Sequence, residues 1–277
     1  MEKLSLEHAK SILIPRTKDS HKGTHGMALL IVGSSMAGAA VISARACLRA
    51  GVGKLFVTVS GTNKTTLNLS IPEAIASNNQ FDSPKDFLGF TAVGIGCGLG
   101  LKKSKILEVL FKTKNLSIVI DADALTIIAN AKKSKTFAVY PPKTILTPHP
   151  GEFDRLFGIH TSTEDRRITA IAKAKQLGVI IVLKGHETLI TNGKESFINT
   201  TGNAGLAKAG TGDALTGIIT SLLAQGYNSF SAAKLGVYLH GLAADIALEK
   251  QSVESMLATD VIENLGAAFK ILGSSLN

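Results

Sequence analysis

Met27-Ala-Leu-Leu-Ile-Val32 is a continuous apolar run, followed at once by Gly33-Ser-Ser and then by a helical stretch through Ala50. An apolar run that ends on glycine reads as a strand buried on both faces, turning tightly into a helix. The unit recurs along the chain. Lys54–Val59, Thr91–Ile95, Ser117–Ile120, Thr144–Leu146 and Val179–Leu183 read as strands, alternating with helical stretches such as Ser104–Phe111 and Glu164–Leu177. Such alternation predicts an α/β fold with a central, mostly parallel sheet and helices on both faces. Thr188–Thr191 and Glu195–Ile198 flank Asn192-Gly193, a dipeptide suited to a type I′ turn, so a β-hairpin is expected at one sheet edge. A short amphipathic segment precedes the first strand, and three helices are expected at Asp213–Ala224, Ser229–Leu248 and Thr259–Leu272.

No linker, low-complexity tract or internal repeat divides the 277 residues, so a single domain over 1–277 is expected. With 45% hydrophobic and 18% charged residues the chain can build one large core, which excludes a disordered protein. No apolar run reaches the about 18 residues of a spanning helix. The start, MEKLSLEHAK, lacks the apolar run of a signal peptide, so a cytoplasmic protein is expected. Cys47 and Cys97 are too few for a disulfide framework or a metal cluster and read as small buried hydrophobes. Thirty Lys and Arg against 21 Asp and Glu leave a net charge of +9, which suits nucleic acid, anionic membrane or phosphorylated metabolites. Nucleic acid fits poorly: aromatics are 5%, tryptophan is absent, and lysines scatter in pairs such as Lys102-Lys103 and Lys132-Lys133 without a recognition motif.

The strongest chemical signal is Asn199-Thr-Thr-Gly-Asn-Ala-Gly-Leu-Ala-Lys-Ala-Gly-Thr-Gly-Asp213, a glycine-rich stretch that passes directly into an apolar helix. The first N–H groups of a helix lack intrahelical partners and can hold an anion, and Gly210 and Gly212 let backbone approach a phosphate closely. Asp213 in that first turn is either a stabilising charge or, beside a phosphate cradle, a base that takes the proton of an attacking hydroxyl.

Ala209-Gly-Thr-Gly-Asp213 resembles the anion hole and base of the ribokinase-like superfamily. Six further segments occur in the order of one of its branches: His21-Lys-Gly-Thr-His-Gly26, Gly33-Ser-Ser-Met-Ala-Gly-Ala-Ala40, Ile95-Gly-Cys-Gly-Leu-Gly100, Asp121-Ala-Asp-Ala-Leu125, Leu146-Thr-Pro-His-Pro-Gly-Glu152 and Val182-Leu-Lys-Gly-His-Glu-Thr188. The chain resembles the ADP-dependent NAD(P)H-hydrate dehydratase family from about His21 to about Asp245. That resemblance implies a ribokinase-like fold and a lyase that returns hydrated NADH or NADPH to NADH or NADPH while splitting ADP, or in some members ATP. It implies Mg2+ as cofactor, a homotetramer, and a separate epimerase, because only about 20 residues precede His21. The alternative within the superfamily is a small-molecule kinase acting on a vitamin-precursor alcohol, which would share the Gly-Thr-Gly-Asp element.

The resemblance assigns Gly38, Ala39, Gly98, His149 and Asp213 to the hydrate. It assigns Lys184, Gly185, His186, Glu187, Thr188, Asn203, Gly210, Thr211 and Gly212 to the nucleotide. Read as residues, Gly33–Ala40 and Gly96–Gly98 sit at strand ends where open α/β sheets bind ligands, though a tight turn would also use them. His149, stiffened between two prolines, can face a substrate. Lys184 beside Gly185 suits a phosphate oxygen. Glu152 either faces a magnesium-bound water or stabilises a helix start, and Asp121 and Asp123 either hold magnesium through water or, for Asp123, cap a helix. His21 and Lys22 either reach a phosphate or lie in a loop, and Asp245 reads as structural.

Overall fold

The computed structural model describes all residues except 34–35, 60, 78–79, 132–135 and 274–277. Ser34, Ser35, Lys132 and Lys133 therefore lie outside the described residues.

The strand read at Met27 is central. β2 (Met27–Ile31) pairs in parallel with β3 (Lys54–Thr58) on one side and β5 (Ala92–Ile95) on the other. Beyond β3 lies β4 (Ile75–Ser77), while β6 (Ser117–Ile120), β7 (Thr144–Leu146) and β8 (Ile180–Leu183) follow β5. The chain thus builds outward in both directions from β2 and β5, which makes the gap between them the topological switch point where such sheets bind ligands.

β9 (Leu189–Thr191) and β10 (Ser196–Asn199) form the expected antiparallel hairpin around Asn192-Gly193. It does not end the sheet. β1 (Glu2–Leu4) pairs in parallel with β10 and covers it, so the N-terminal strand, not the hairpin, is the edge. Three residues without hydrophobic alternation left no sign of this in the sequence. β1 continues into α1 (Leu6–Ile12), where His8 Nε2 lies 2.8 Å from Lys234 Nζ and the Lys234 ammonium stands 4.4 Å from the Phe197 ring centre of β10.

Two apolar layers cover the sheet. One packs α2 (Ala37–Arg49), α8 (Thr211–Ala224) and α9 (Ser229–Ala247) on one face, and the other packs α4 (Ser104–Phe111), α5 (Ala122–Asn130), α6 (Pro150–Phe157) and α7 (Thr163–Leu177) on the opposite face. α3 (Thr62–Ser70) precedes β4. The last expected helix is two. α10 (Ala258–Glu263) stops at Asn264, whose amide side chain donates to the Asp260 carbonyl at 2.8 Å and so competes with the helix, and α11 (Leu265–Gly273) restarts after it. α9 buries its apolar residues in the chain's own core, so its pattern needs no partner subunit to explain it.

Two glycines set how close α8 comes. A Cβ on Gly217 would stand 2.2 Å from the Ser43 carbonyl oxygen of α2, and one on Gly94 would stand 2.4 Å from Thr220 Oγ1 of α8. Backbone cannot yield as a side-chain tip can, so Gly217→Ala is expected to cost about 3 kcal/mol. Urea unfolding measures this, and unchanged stability would contradict the close crossing.

Candidate active site

α8 starts on Gly210, whose φ of +91° favours glycine and which supplies no side-chain cap. The Thr211 amide donates to the Lys208 carbonyl at 3.5 Å, and the Gly212 and Asp213 amides that follow face the open end of the helix, where an anion can take them. Lys184, just beyond β8, is placed by its own amide, which donates to the Pro148 carbonyl at 2.9 Å. Its ammonium donates to Asp121 Oδ1 at 2.8 Å and lies 3.8 Å from Glu152 Oε2. Burial works against the charged lysine, yet the Asp121 and Glu152 carboxylates outweigh it and hold the ammonium above its ordinary range. A Cβ on Gly212 would stand 3.3 Å from Lys184 Nζ. Glycine thus lets the helix start descend onto the lysine, and the two phosphate-binding features read from the sequence meet.

Asp121 is 1% exposed, and donors occupy both of its oxygens: Lys184 and the Ala122 amide on Oδ1, and the Thr216 hydroxyl at 2.8 Å on Oδ2. It is Asp121, not Asp123, that caps α5, while Asp123 Oδ2 accepts from the Gly100 amide at 2.7 Å. Ala122, directly after the cap, has φ +49°, a left-handed conformation that costs an alanine about 1 kcal/mol or more. Glu152 is buried and forms a reciprocal cap with His149: the His149 amide donates to Oε2 at 2.8 Å, and His149 Nδ1 accepts from the Gly151 amide at 3.0 Å. Of the two readings of Glu152, the structure favours the helix start. Among the described residues no group of three or more His, Cys, Asp and Glu could hold a metal ion.

Asp213 is different. It is partly buried, and burial raises its carboxyl to about 6, with the Asp121 charge pushing the same way and the Cys97 thiol and the Lys184 ammonium pulling it down. Cys97 is therefore more than a small hydrophobe. It is fully buried beside Asp213 and Thr216, and burial first, then the Asp213 and Asp121 charges, push its thiol far above the usual range. Its place between two glycines after a strand was the available signal.

Beside the α8 start opens a cavity of about 410 Å3. Lys184, Gly185, His186, Thr188, Asn203, Thr211 and Gly212 all line it. Glu187 does not: it pairs with Arg167 at 2.8 Å on the wall of a neighbouring cavity. Gly210 lies behind the helix start, where a Cβ would meet Ile42 and Ala258. Asp245 fixes the loop over the cavity, accepting from the Gly202 backbone amide at 2.8 Å and from the Asn203 side-chain Nδ2 at 3.0 Å. Sequence reading missed Leu215, Val237, His240 and Gly241 of the wall, because α8 and α9 read as plain apolar helices.

At the switch point Gly98 has φ +56°, and a Cβ there would come within 3.0 Å of Met36 and Ala39. Gly98 and Ala39 are thus neighbours, and a Cβ on Gly38 would meet nothing within 4 Å. His149 sits further along the strand ends, its Nε2 3.5 Å from Glu152 Oε1 and so linked through Glu152 to Lys184. His21 and Lys22 belong elsewhere. Their loop packs where β2 and β3 begin, with the Gly53 amide donating to the His25 carbonyl, at the opposite end of the strands from Lys184.

A family model described as NAD(P)H-hydrate dehydratase matches residues 28–266. A Neisseria meningitidis ADP-dependent (S)-NAD(P)H-hydrate dehydratase is 38% identical over 87% of this chain and 84% of its own. A Vibrio cholerae bifunctional NAD(P)H-hydrate repair enzyme is 37% identical over 92% of this chain, which spans only 52% of that protein. Among solved structures, a Bacillus subtilis ADP/ATP-dependent NAD(P)H-hydrate dehydratase co-crystallised with ATP and Mg2+ superposes with a TM-score of 0.88 at 33% identity over 98% of both chains. The fold is ribokinase-like.

The Asp213 environment predicts its titration. Carboxyl 13C NMR should place the midpoint near 6. Cys97→Ala removes a hydrogen bond that favours the ionised form, so the midpoint should move upward. A downward shift or none would contradict the thiol contact.

Proposed function

The chain belongs to the NAD(P)H-hydrate dehydratase family, and from that premise we propose that it returns the S form of hydrated NADH or NADPH to the reduced dinucleotide, as a hydro-lyase coupled to ADP → AMP + phosphate. The observation that carries the reading is Asp213: a carboxylate of raised basicity beside a helix start that is open to an anion and faces Lys184.

The hydrate carries its hydroxyl next to a ring nitrogen whose lone pair can expel a leaving group. Hydroxide leaves poorly, whereas phosphate leaves well. Asp213 takes the hydroxyl proton as the oxygen attacks the terminal phosphoryl group of ADP. The bond to the bridging oxygen breaks, AMP departs, and the α8 amides and Lys184 hold the charge on the transferred group. The ring nitrogen then pushes phosphate out, the ring carbon next to the vacated one gives up a proton to water, and the C=C bond that forms restores the dinucleotide.

The donor set suits no resident metal, since Asp121 and Glu152 already serve Lys184 and two helix starts. It suits a magnesium ion carried by nucleotide phosphates and water, which needs no protein cage. When bound, that ion would offset phosphate charge. The hydrate is assigned to the switch point, at Gly38, Ala39 and Gly98, with His149 reaching it from α6. The same family reading carries a cytoplasmic homotetramer in which residues 1–277 form one domain that acts on one epimer, with a functional link to an epimerase for the other. Among the described residues no helix is long and apolar enough to cross a membrane.

Purified protein supplied with hydrate and ADP should release AMP and phosphate in equal amounts while absorbance of the reduced nicotinamide returns. A stable phosphorylated product would instead indicate the kinase alternative. Asp213→Asn should lower turnover by at least about a hundredfold, and full turnover would remove Asp213 as the base. Because the carboxylate form is the active one, the rate should fall as pH drops through about 6. Gly38→Ala should leave the fold intact, having open space for its Cβ, yet raise the KM for hydrate.

A further inference from the structure

His240 lies on α9 with 8% of its surface exposed, and it lines the cavity beside the α8 start. Its Nε2 is buried and has no hydrogen-bond partner. A buried ring nitrogen without a partner is costly, which marks it as a group awaiting one. The Thr211 backbone beside the ring favours the protonated form, as a carbonyl does and an amide N–H does not, so the ring's one N–H is turned to that carbonyl. Burial, the largest influence, and the nearby Lys184 charge push the imidazole down to about 4, leaving it neutral at physiological pH. A neutral imidazole that donates from one nitrogen presents a bare lone pair on the other. Nε2 therefore accepts.

That polarity selects among the groups of a nucleotide. Phosphate oxygens are acceptors and cannot satisfy Nε2, whereas sugar hydroxyls and an exocyclic amine donate. Position selects further. His240 shares the cavity wall with Thr211 and Gly212 of the first turn of α8 and with Lys184, where phosphate would lie, and the apolar wall of Leu215 and Val237 continues the cavity. In a nucleoside diphosphate the group that follows the phosphates is the ribose. We infer that His240 Nε2 accepts a hydrogen bond from a ribose hydroxyl of the nucleotide and so makes the site selective for ribonucleotides over deoxyribonucleotides. The inference rests on the nucleotide reading of this cavity and adds a selectivity-determining residue to it.

Calorimetric titration of the whole protein with Mg2+ and ADP, 2′-deoxy-ADP, 3′-deoxy-ADP or pyrophosphate tests it. Wild type should bind ADP about tenfold more tightly than one of the deoxy analogues, the loss expected when a buried acceptor goes unmatched. His240→Phe should weaken ADP to the level of that analogue, bind the analogue as wild type does, and leave pyrophosphate unaffected. A variant that keeps the wild-type ratio of ADP to both analogues overturns the inference. So does one that weakens pyrophosphate equally. If inosine diphosphate rather than a deoxy form closes the gap, Nε2 faces the base and the ribose assignment is wrong. Should the variant fail to fold, 15N NMR of wild type decides: Nε2 should carry no proton and should shift on adding ADP but not the discriminated analogue. An equal shift with both overturns the inference. Loss of ADP binding by wild type would instead defeat the nucleotide reading itself, and this inference with it.

Discussion

A carboxylate with almost no solvent and an ammonium 2.8 Å from it hold the site together. Asp121 ends β6, caps α5 and accepts from Thr216 of α8, while Lys184 ends β8 and sits under the first turn of that same helix. One ion pair thus joins two strand ends and two helix starts. Removing either partner would leave a buried charge alone, a loss of about 3–5 kcal/mol. The arrangement also sets terms for a ligand. An anion approaching Lys184 would not meet a free cation, because Asp121 and Glu152 already engage it.

Asp121 and Asp213 show how environment divides labour between two acids of the same type. Asp121 has a donor on each of its oxygens and serves to hold strand ends and helix starts together. Asp213, with a thiol as its side-chain donor and part of its surface desolvated, is pushed toward holding its proton. Environments that separate paired acids in this way are how acid and base roles are assigned. The cost appears in stability. Because its folded pKa is raised, ionising Asp213 opposes folding, and stability drains as pH climbs from the usual carboxylate range through about 6, remaining reduced above it.

Much of this was legible in the residues, for physical reasons. Strands buried on both faces announce themselves as apolar runs, so β2, β5, β6 and β8 were readable within a residue or two, and the glycines before Asp213 announced the helix start that α8 makes on Gly210. What escaped depended on distant partners. Asp121 and Glu152 looked like spare carboxylates until Lys184 was seen between them. Cys97 looked like filler until Asp213 was beside it. His240 is hidden in an apolar helix whose cavity face is only a few residues wide. The charge excess pointed toward phosphate, but among the described residues Lys184 alone of the lysines lines the cavity, and Lys22 lies at the far end of the strands.

The edge strand β1 carries a consequence for how the protein is made. Its partner β10 is encoded nearly two hundred residues later, so a ribosome releases β1 long before anything exists for it to pair with. During that interval the growing sheet lacks its cover, and β1 with α1 must wait as a short, half-polar segment. Contacts of such sequence separation form slowly. Closure of the edge, and with it the seating of Lys234 against Phe197 and His8, is thus deferred until the hairpin and α9 have emerged, which makes sealing of the sheet a late event in biosynthesis.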